Sequence, residues 1–136
     1  PSNYLIPYIE RTLTKIDVPS GCTKVGSYAF DRCYSATSIT IPDSVTSLDT
    51  HAFAVCDEVT AITFGNGLVT IGDNAFYKVG YMSEVVNNNN LVLPDSVSTI
   101  GDNAFLDMPI TAITFGSGTT YFITSVTLTE LCKSLL

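Results

Sequence analysis

Hydrophobic and polar residues alternate over short stretches that return at regular distances along the chain. Ile39 and Ile41 flank Thr40, for example, and four other stretches show the same apolar pair around a central residue. The five stretches begin at Ile16, Ile39, Ile62, Leu91 and Ile113, with spacings of 23, 23, 29 and 22 residues. Period-two alternation is typical of a strand with one buried face. The pattern therefore predicts one short strand in each copy of a repeat.

A second anchor, the dipeptide Ala-Phe, follows each of the first four strands. Its phenylalanines are Phe30, Phe53, Phe76 and Phe105, which are 23, 23 and 29 residues apart. Two residues before each dipeptide stands a residue that favours helix N-termini, and these are Ser27, Thr50, Asp73 and Asp102. The oxygens of such side chains accept hydrogen bonds from the free N–H groups of a first helical turn. We therefore predict a helix of one or two turns in each unit, with Ala and Phe on its buried side.

Stacking of these units gives the predicted architecture. One unit of about 23 residues cannot bury its own apolar residues, whereas stacked copies bury them as continuous ladders. About four and a half units cover residues 13–123. The sequence thus predicts an α/β solenoid with parallel short strands on one side and short helices on the other.

The two ends of the chain fall outside the repeat. Residues 1–12 are apolar and aromatic, and we predict that they form an N-terminal cap over the first unit. Residues 124–136 contain Thr127 and Glu130 at the spacing of a capping box, which predicts a cap helix or the start of a further segment. The apolar end at Leu135 and Leu136 is what we expect of a piece of a longer protein.

The third unit carries six additional residues within the segment 77–90, and this irregularity is the best candidate for a binding site. Insertions in repeat proteins form loops, where binding residues often lie. Aromatic and asparagine side chains suit adaptable contacts. The candidate ligand-binding residues of this loop are Tyr77, Tyr81, Met82, Asn87, Asn88, Asn89 and Asn90. Sequence drift in a tolerant loop is the other interpretation.

The cysteines follow the repeat. Cys33 and Cys56 lie three residues after the ladder phenylalanine, where later units hold Val79 and Met108. A position that accepts Cys, Val and Met is a buried apolar position, so we predict buried free thiols here and at Cys22. A disulfide between Cys33 and Cys56 is the alternative. A metal site is the least favoured interpretation, because the chain has a single histidine.

Composition narrows the class of partner. The 136-residue chain has 6 Lys and Arg against 13 Asp and Glu, for a net charge of −7, and 46% of its residues are hydrophobic. This length suits one domain with a core. The acidic balance argues against nucleic acid, because phosphates would repel the chain. No apolar run approaches the roughly 18 residues of a membrane span, so we predict no membrane insertion.

Motifs that would carry catalysis are missing from the sequence. His51 shares its repeat position with Tyr28, Asn74 and Asn103, which indicates an exposed helix position rather than a catalytic one. With one histidine, nothing places a nucleophile and a base together. Phosphate-binding glycine loops do not occur, and acidic residues are spaced one per repeat rather than clustered for calcium. We therefore predict no catalytic residues, no metal, no cofactor and no enzymatic activity.

Three stretches resemble a known repeat family. They are VPSGCTKVGSYAFDRC (18–33), IPDSVTSLDTHAFAVC (41–56) and LPDSVSTIGDNAF (93–105), and they are similar to the BspA-like, or Treponema-type, leucine-rich repeat. The fifth unit departs from that pattern after Phe115. The resemblance implies a leucine-rich repeat solenoid, and no catalytic residues come with it. Such repeats occur on surface proteins of oral and gut bacteria and of mucosal protists, where they are linked to adhesion, and in phage proteins.

These observations lead to one functional prediction and one alternative. We predict a non-catalytic binding or adhesion module of a microbial surface or secreted protein, located at the cell surface or outside the cell. Its partner would be a protein or glycan on another cell or matrix. The alternative is a structural or receptor-binding segment of a phage tail or other virion assembly, in which case self-association is expected.

Overall fold

The computed structural model describes residues 12–116 and, as backbone alone, residues 120–122. Each repeat unit forms one coil that carries two short strands. The first row of strands consists of β1 (Lys15–Asp17), β3 (Ser38–Thr40), β5 (Ala61–Thr63), β7 (Asn90–Leu93) and β9 (Ala112–Phe115). The second row consists of β2 (Lys24–Val25), β4 (Ser47–Leu48), β6 (Thr70–Ile71) and β8 (Thr99–Ile100). A last strand, β10 (Thr120–Phe122), follows β9. The architecture is a parallel β-solenoid of about four turns.

Residues that are one repeat apart in the sequence pair with each other in the sheets. Ile16 pairs with Ile39, and Ile39 pairs with Ile62, so that residues 23 positions apart lie side by side. The second row has the same register and aligns Val25, Leu48, Ile71 and Ile100. The predicted parallel pairing of equivalent apolar positions is therefore confirmed.

The Ala-Phe anchors form the spine of the core. The rings of Phe30 and Phe53 stack with centroids 5.4 Å apart, and the rings of Phe53 and Phe76 do so at the same distance. Phe105 continues the stack at 5.9 Å from Phe76. All four rings are buried. Offset stacks of this kind stabilise by roughly 0.5–1.5 kcal/mol per pair beyond the burial of area.

The segments around the Ala-Phe anchors are turns, and the predicted short helices are wrong. No α-helix occurs in residues 12–116. The N–H of Phe53 donates to the carbonyl oxygen of Ala75 in the next coil at 2.8 Å. Two residues later, the N–H of Val55 donates to the oxygen of Tyr77 at 2.7 Å. In an α-helix these groups would bond four residues back in their own segment. They form instead a third ladder between coils.

Left-handed backbone conformations explain why no helix forms. The residue before Ala-Phe has a positive φ in every coil, at Tyr28, His51, Asn74 and Asn103. Positive φ returns four residues later, at Arg32, Val55, Lys78 and Asp107. A right-handed helix requires negative φ throughout, so it cannot pass through either position. The helical half of the predicted α/β solenoid is therefore replaced by turns.

The predicted N-caps have a different role for the same reason. Within the described coils no α-helix follows Ser27, Thr50, Asp73 or Asp102, and these residues therefore cap none. The Asp73 carboxylate accepts instead the backbone N–H of Asp102 in the next coil at 2.8 Å. An oxygen predicted to bond within its own unit thus bonds between units.

The first row of strands is interrupted, whereas the second is continuous. The second row forms one sheet in the order β2-β4-β6-β8. The first row divides into the sheet β1-β3-β5 and the sheet β10-β9-β7. The division falls at the insertion, between β5 and β7. The antiparallel pairing of β10 with β9 ends the parallel stacking where the sequence departs from the repeat. The predicted caps at 1–12 and 124–136 lie outside the described residues, apart from Thr12.

Candidate functional site

The insertion loop (residues 77–90) packs along the preceding coil. The N–H of Met82 donates to the carbonyl oxygen of Asp57 at 2.8 Å. The hydroxyl of Ser83 lies 2.8 Å from the oxygen of Val59, to which it can donate. Val86 is fully buried and anchors the far end of the loop in the core. The loop is therefore held against the solenoid along its length.

The insertion loop carries an exposed patch of side chains. The side chains of Tyr81 and Met82 are 51% and 59% exposed. The Lys78 ammonium lies 5.2 Å from the ring centroid of Tyr81 and 5.5 Å from that of Tyr77. We call Tyr77, Lys78, Tyr81 and Met82 the aromatic patch. At these distances the rings attract the cation, which orders three long side chains together.

The structure thus brings together two of the seven predicted site residues, Tyr77 and Tyr81, at the ammonium of Lys78, which the sequence reasoning had missed. Met82 follows Tyr81 in the chain and is exposed beside it. The signal for Lys78 was present, since a lysine between two tyrosines suits a cation–π contact. The asparagines lie at the entrance to β7, and their predicted role in ligand binding stays a prediction.

The asparagine run has a conformational role. Asn87, Asn88 and Asn89 form a short 3-10 turn with φ values of 49°, 55° and 65°. Asparagine tolerates the left-handed region better than other residues with side chains, glycine aside. Asn88 is exposed, whereas the other three are half-buried. Asn90 begins β7, and its side-chain oxygen accepts the hydroxyl of Thr114 at 3.2 Å.

The side chain of Asn87 stands where a strand is missing. Its Oδ1 accepts the N–H of Ile62 at 2.9 Å, and its Nδ2 donates to the oxygen of Ile62 at 3.0 Å. Ile62 lies in β5, the edge strand of the first sheet. In a regular coil the next strand would satisfy both of these backbone groups. One side-chain amide therefore replaces a peptide group at the interruption.

Beyond Asn87 a cleft separates the two sheets. Its volume is about 360 Å³. Residues from coil three (Ile62, Phe64 and Asn66) line one wall, and residues from coil four (Val92, Leu93, Pro94 and Asp95) line the other, together with Gly116 of the fifth coil. The side chain of Val92 is 50% exposed, an unusual position for a valine among the threonines of its row. We call this cleft the sheet gap.

The cysteines are structural in their placement. Cys22, Cys33 and Cys56 are buried thiols that take part in no disulfide, as the sequence predicts. The thiol of Cys56 donates to the carbonyl oxygen of Phe30 at 3.1 Å. A hydrogen bond with the Cys33 side chain and burial both raise the pKa of the Cys56 thiol well above its ordinary value. A thiol held in its neutral form is a poor nucleophile.

His51 is half-buried, so the predicted exposed helix position is wrong. Its ring stacks on that of Tyr28 with centroids 4.6 Å apart, and its Nδ1 is buried without a hydrogen-bond partner.

In residues 12–116 no group of three His, Cys, Asp or Glu side chains is arranged to hold a metal ion. Across the same part of the chain, no helix has the length and apolar character needed to cross a membrane.

Comparison with known proteins identifies one repeat family. The model of the BspA-type leucine-rich repeat region matches residues 8–127 in six copies. Comparison with curated protein sequences gives no match.

Solved structures of similar fold come from several bacteria. A leucine-rich repeat protein from Bacteroides ovatus is 28% identical, with a TM-score of 0.65 over 76% of this chain and 26% of that chain. The leucine-rich repeat protein of T. pallidum is 25% identical, with a TM-score of 0.58 over 75% and 58% of the two chains. The pneumococcal vaccine antigen PcpA shares the fold at 23% identity, with a TM-score of 0.64 over 76% and 24%. This chain thus spans less than two thirds of each of these proteins.

Proposed function

Because the chain belongs to the BspA-type leucine-rich repeat family, we propose that it is a non-catalytic binding module of a microbial surface or secreted protein. Its partner is a protein or glycan on a host cell, a neighbouring cell or a matrix. The match of residues 8–127 to the BspA-type leucine-rich repeat family supports a surface or extracellular location.

The aromatic patch is the observation that carries this proposal. Exposed tyrosine and methionine side chains next to a cation are typical of the residues that dominate binding energy at interfaces. The regular coils present a different surface, since the outward positions of β3 and β5 are threonines, Thr40 and Thr63. Small polar side chains of that kind seldom anchor a partner.

Preorganisation strengthens the case for the patch. The loop is fixed by the backbone bond from Met82 to Asp57 and by buried Val86. The cation–π contacts of Lys78 further restrict Tyr77 and Tyr81. A surface ordered before binding loses less conformational entropy when the partner arrives. The insertion therefore adds a preorganised contact surface to the repeat scaffold.

A binding experiment with matched variants tests the proposal. The purified chain is applied to immobilised matrix proteins and glycans, together with a Tyr81→Ser, Met82→Ser double variant. Tyr28→Ser serves as the control, because Tyr28 is exposed to a similar degree but lies outside the insertion loop. We expect the double variant to lose at least about tenfold in affinity for whichever ligand the wild type binds, which is about 1.4 kcal/mol.

Two outcomes would contradict the proposal. Equal binding by the double variant and the wild type would remove the aromatic patch from the binding site. Failure of the wild type to bind any protein or glycan of the panel would contradict the function as a binding module.

A further inference from the structure

We propose that the sheet gap takes an extended peptide segment of a protein partner, which inserts as a parallel strand between β5 and β7. This inference rests on the proposed function, and it narrows the partner class to a protein with an accessible extended segment. In the complex, the backbone hydrogen bonds between this chain and the partner would form at the interruption in the first sheet.

The wall formed by coil three presents an unused backbone donor. The N–H of Val18 donates to Thr40 of the next coil at 3.1 Å, and the N–H of Ile41 donates to Thr63 at 2.9 Å. Phe64 is the next member of this series. In the described part of the chain no group accepts the Phe64 N–H. The series of bonds between coils therefore stops at the sheet gap.

The opposite wall presents backbone groups that face this donor and have no recorded partner within residues 12–116. The oxygen of Leu93 accepts the N–H of Gly116 from the β9 side at 2.8 Å. Residues of a parallel strand direct their backbone groups alternately to the two neighbouring strands. The N–H and C=O of Val92 consequently point away from β9 and toward coil three. Two strand edges with unsatisfied groups thus face each other across a cleft, and exposed edges of this kind are templates for a further strand.

Asn87 shows that a peptide group fits against β5. Its side-chain amide makes with Ile62 the donor and acceptor pair that a strand would make, at 2.9 and 3.0 Å. A segment that entered beside it would continue this pairing at Phe64. The volume of about 360 Å³ lies at the small end of ligand clefts, which suits a short segment rather than a folded domain.

The chemistry of the walls indicates which peptide would bind. Apolar contact is available from Val92 and from the half-buried ring of Phe64, which favours β-branched residues in the peptide. A parallel strand would end beside Asp95, an exposed residue that lines the gap and whose carboxylate lies against Gly116. A Lys or Arg at the carboxyl end of the segment would therefore be attracted there. The net charge of −7 on the chain also favours a positively charged peptide.

Val92 offers a matched pair of variants. Val92→Pro removes the backbone N–H on one wall, whereas Val92→Thr keeps it and introduces the residue found at Thr40, Thr63 and Thr114. The probe is the capped peptide acetyl-Val-Thr-Val-Thr-Lys-amide, with a set in which its Val and Thr positions vary over Val, Ile, Thr and Tyr. The control peptide carries Pro in place of the central residue, since Pro cannot donate to a ladder.

Nuclear magnetic resonance titration of the full chain gives the readout. We expect the probe to shift the Phe64 amide resonance. Val92→Thr keeps the backbone N–H and the β-branched shape but loses part of the apolar contact, so it should weaken binding by no more than about threefold. Val92→Pro and the proline peptide should each weaken binding by about tenfold or more. Asp95→Asn should weaken binding of the lysine peptide but leave a peptide with a C-terminal Ala unchanged, which tests the charge contact separately from folding.

Several results would overturn the proposal. One is that no peptide of the set shifts the Phe64 amide at about 1 mM. Another is that Val92→Pro binds the probe as tightly as the wild type. A Phe64 amide already protected without peptide would show that a segment of this chain, or a second copy at higher concentration, occupies the gap. If the wild type and Val92→Pro capture the same panel protein equally, the gap proposal fails while the proposed function stands.

Discussion

Asn87 combines a left-handed backbone with a side-chain amide that pairs with the edge strand. Its φ of 49° turns the chain into β7, and both polar atoms of its amide are bonded to Ile62. Its neighbour Asn88 shares the left-handed conformation, with a φ of 55°, but is exposed. A comparison of Asn87 with Asn88 therefore separates the effect of the left-handed backbone, which both share, from the effect of the hydrogen bonds to Ile62, which only Asn87 makes.

Replacement of these asparagines by aspartate should have unequal effects. Asn87→Asp removes the donor to the oxygen of Ile62 and places a carboxylate oxygen against it, so we expect a loss of roughly 1–3 kcal/mol in the free energy of unfolding. Asn88→Asp keeps a residue that tolerates positive φ and should stay within about 0.5 kcal/mol of the wild type. Urea denaturation measures both, and equal losses would contradict the role of Asn87.

The buried thiol of Cys56 should make the stability of the folded chain depend on pH in the alkaline range. The Cys33 hydrogen bond and burial raise the pKa of its thiol in the folded chain above the ordinary value of 9.0. The stabilising contribution is therefore fully present below pH 9.0, and it is lost as the pH rises from there through the folded pKa. The limiting slope is about −1.4 kcal/mol per pH unit for one thiol.

Cys56→Val is the control for this titration, because Val79 fills the same position one coil later. Unfolding by urea between pH 8 and pH 10.5 should show the wild type losing stability more steeply than the variant. Identical slopes for the two proteins would mean that Cys56 ionises equally well in the folded and unfolded chains.

The sequence allowed the thiols to be placed but not the asparagines. Cys33 and Cys56 alternate with Val79 and Met108 along one register, and substitution by apolar residues reports burial directly. Asn87 occurs in the insertion, which has no counterpart in the other units. Four adjacent asparagines suit a flexible contact loop as well as a left-handed turn. Only the structure shows which amide meets a strand edge.

At the scale of the element, the turn segments show where local sequence signals fail. Ser, Thr and Asp before an Ala-Phe pair are favoured both at helix N-termini and in turns. Tyr28 adopts positive φ against the usual preference of bulky side chains, whereas His51, Asn74 and Asn103 at the same repeat position belong to the residue types enriched there. A signal for a left-handed turn was therefore present and competed with the helix N-cap signal. The bonds that stabilise these conformations come from the next coil, as in the donation from Tyr28 to Thr50 at 3.0 Å.

Proline substitutions distinguish an internal strand from the interrupted edge. Thr40 lies in β3, which pairs with strands on both sides, so Thr40→Pro removes a bond between coils and should destabilise by about 3 kcal/mol or more. Val92 directs its N–H into the sheet gap, so Val92→Pro should cost clearly less. Urea denaturation of both variants, with Thr40→Val and Val92→Thr as controls, measures the difference. Equal costs would indicate that the Val92 N–H is bonded.

At the scale of the molecule, the fold could be predicted from the repeat because equivalent residues of successive repeats pair in neighbouring strands. Ile16, Ile39 and Ile62 are 23 residues apart and adjacent in the sheet. The candidate site could be located only as the irregular segment, because its function depends on contacts that the repeat does not encode. The six extra residues predicted a loop, whereas the opening of the first sheet beside an intact second sheet follows from pairing between coils.

The mass in solution distinguishes the proposed binding module from a component of a symmetric assembly. An independent module should elute as a monomer of 14.6 kDa in light scattering after gel filtration. A phage-tail or virion segment would instead form a trimer or another symmetric oligomer, because such assemblies are built from repeated subunits. A stable oligomer would contradict the monomeric module and favour the assembly role.

Hydrogen exchange at single amides in the free chain tests the central claim, that the insertion opens the first sheet between two otherwise regular parts. We predict that the Phe64 and Val92 amides exchange at least about a hundredfold faster than the Ile41 amide, which is bonded to Thr63 at 2.9 Å. The Gly101 amide, bonded to Ile71 at 2.7 Å in the second row, should be protected like Ile41. Protection of Phe64 equal to that of Ile41 would show a continuous first sheet and contradict the account.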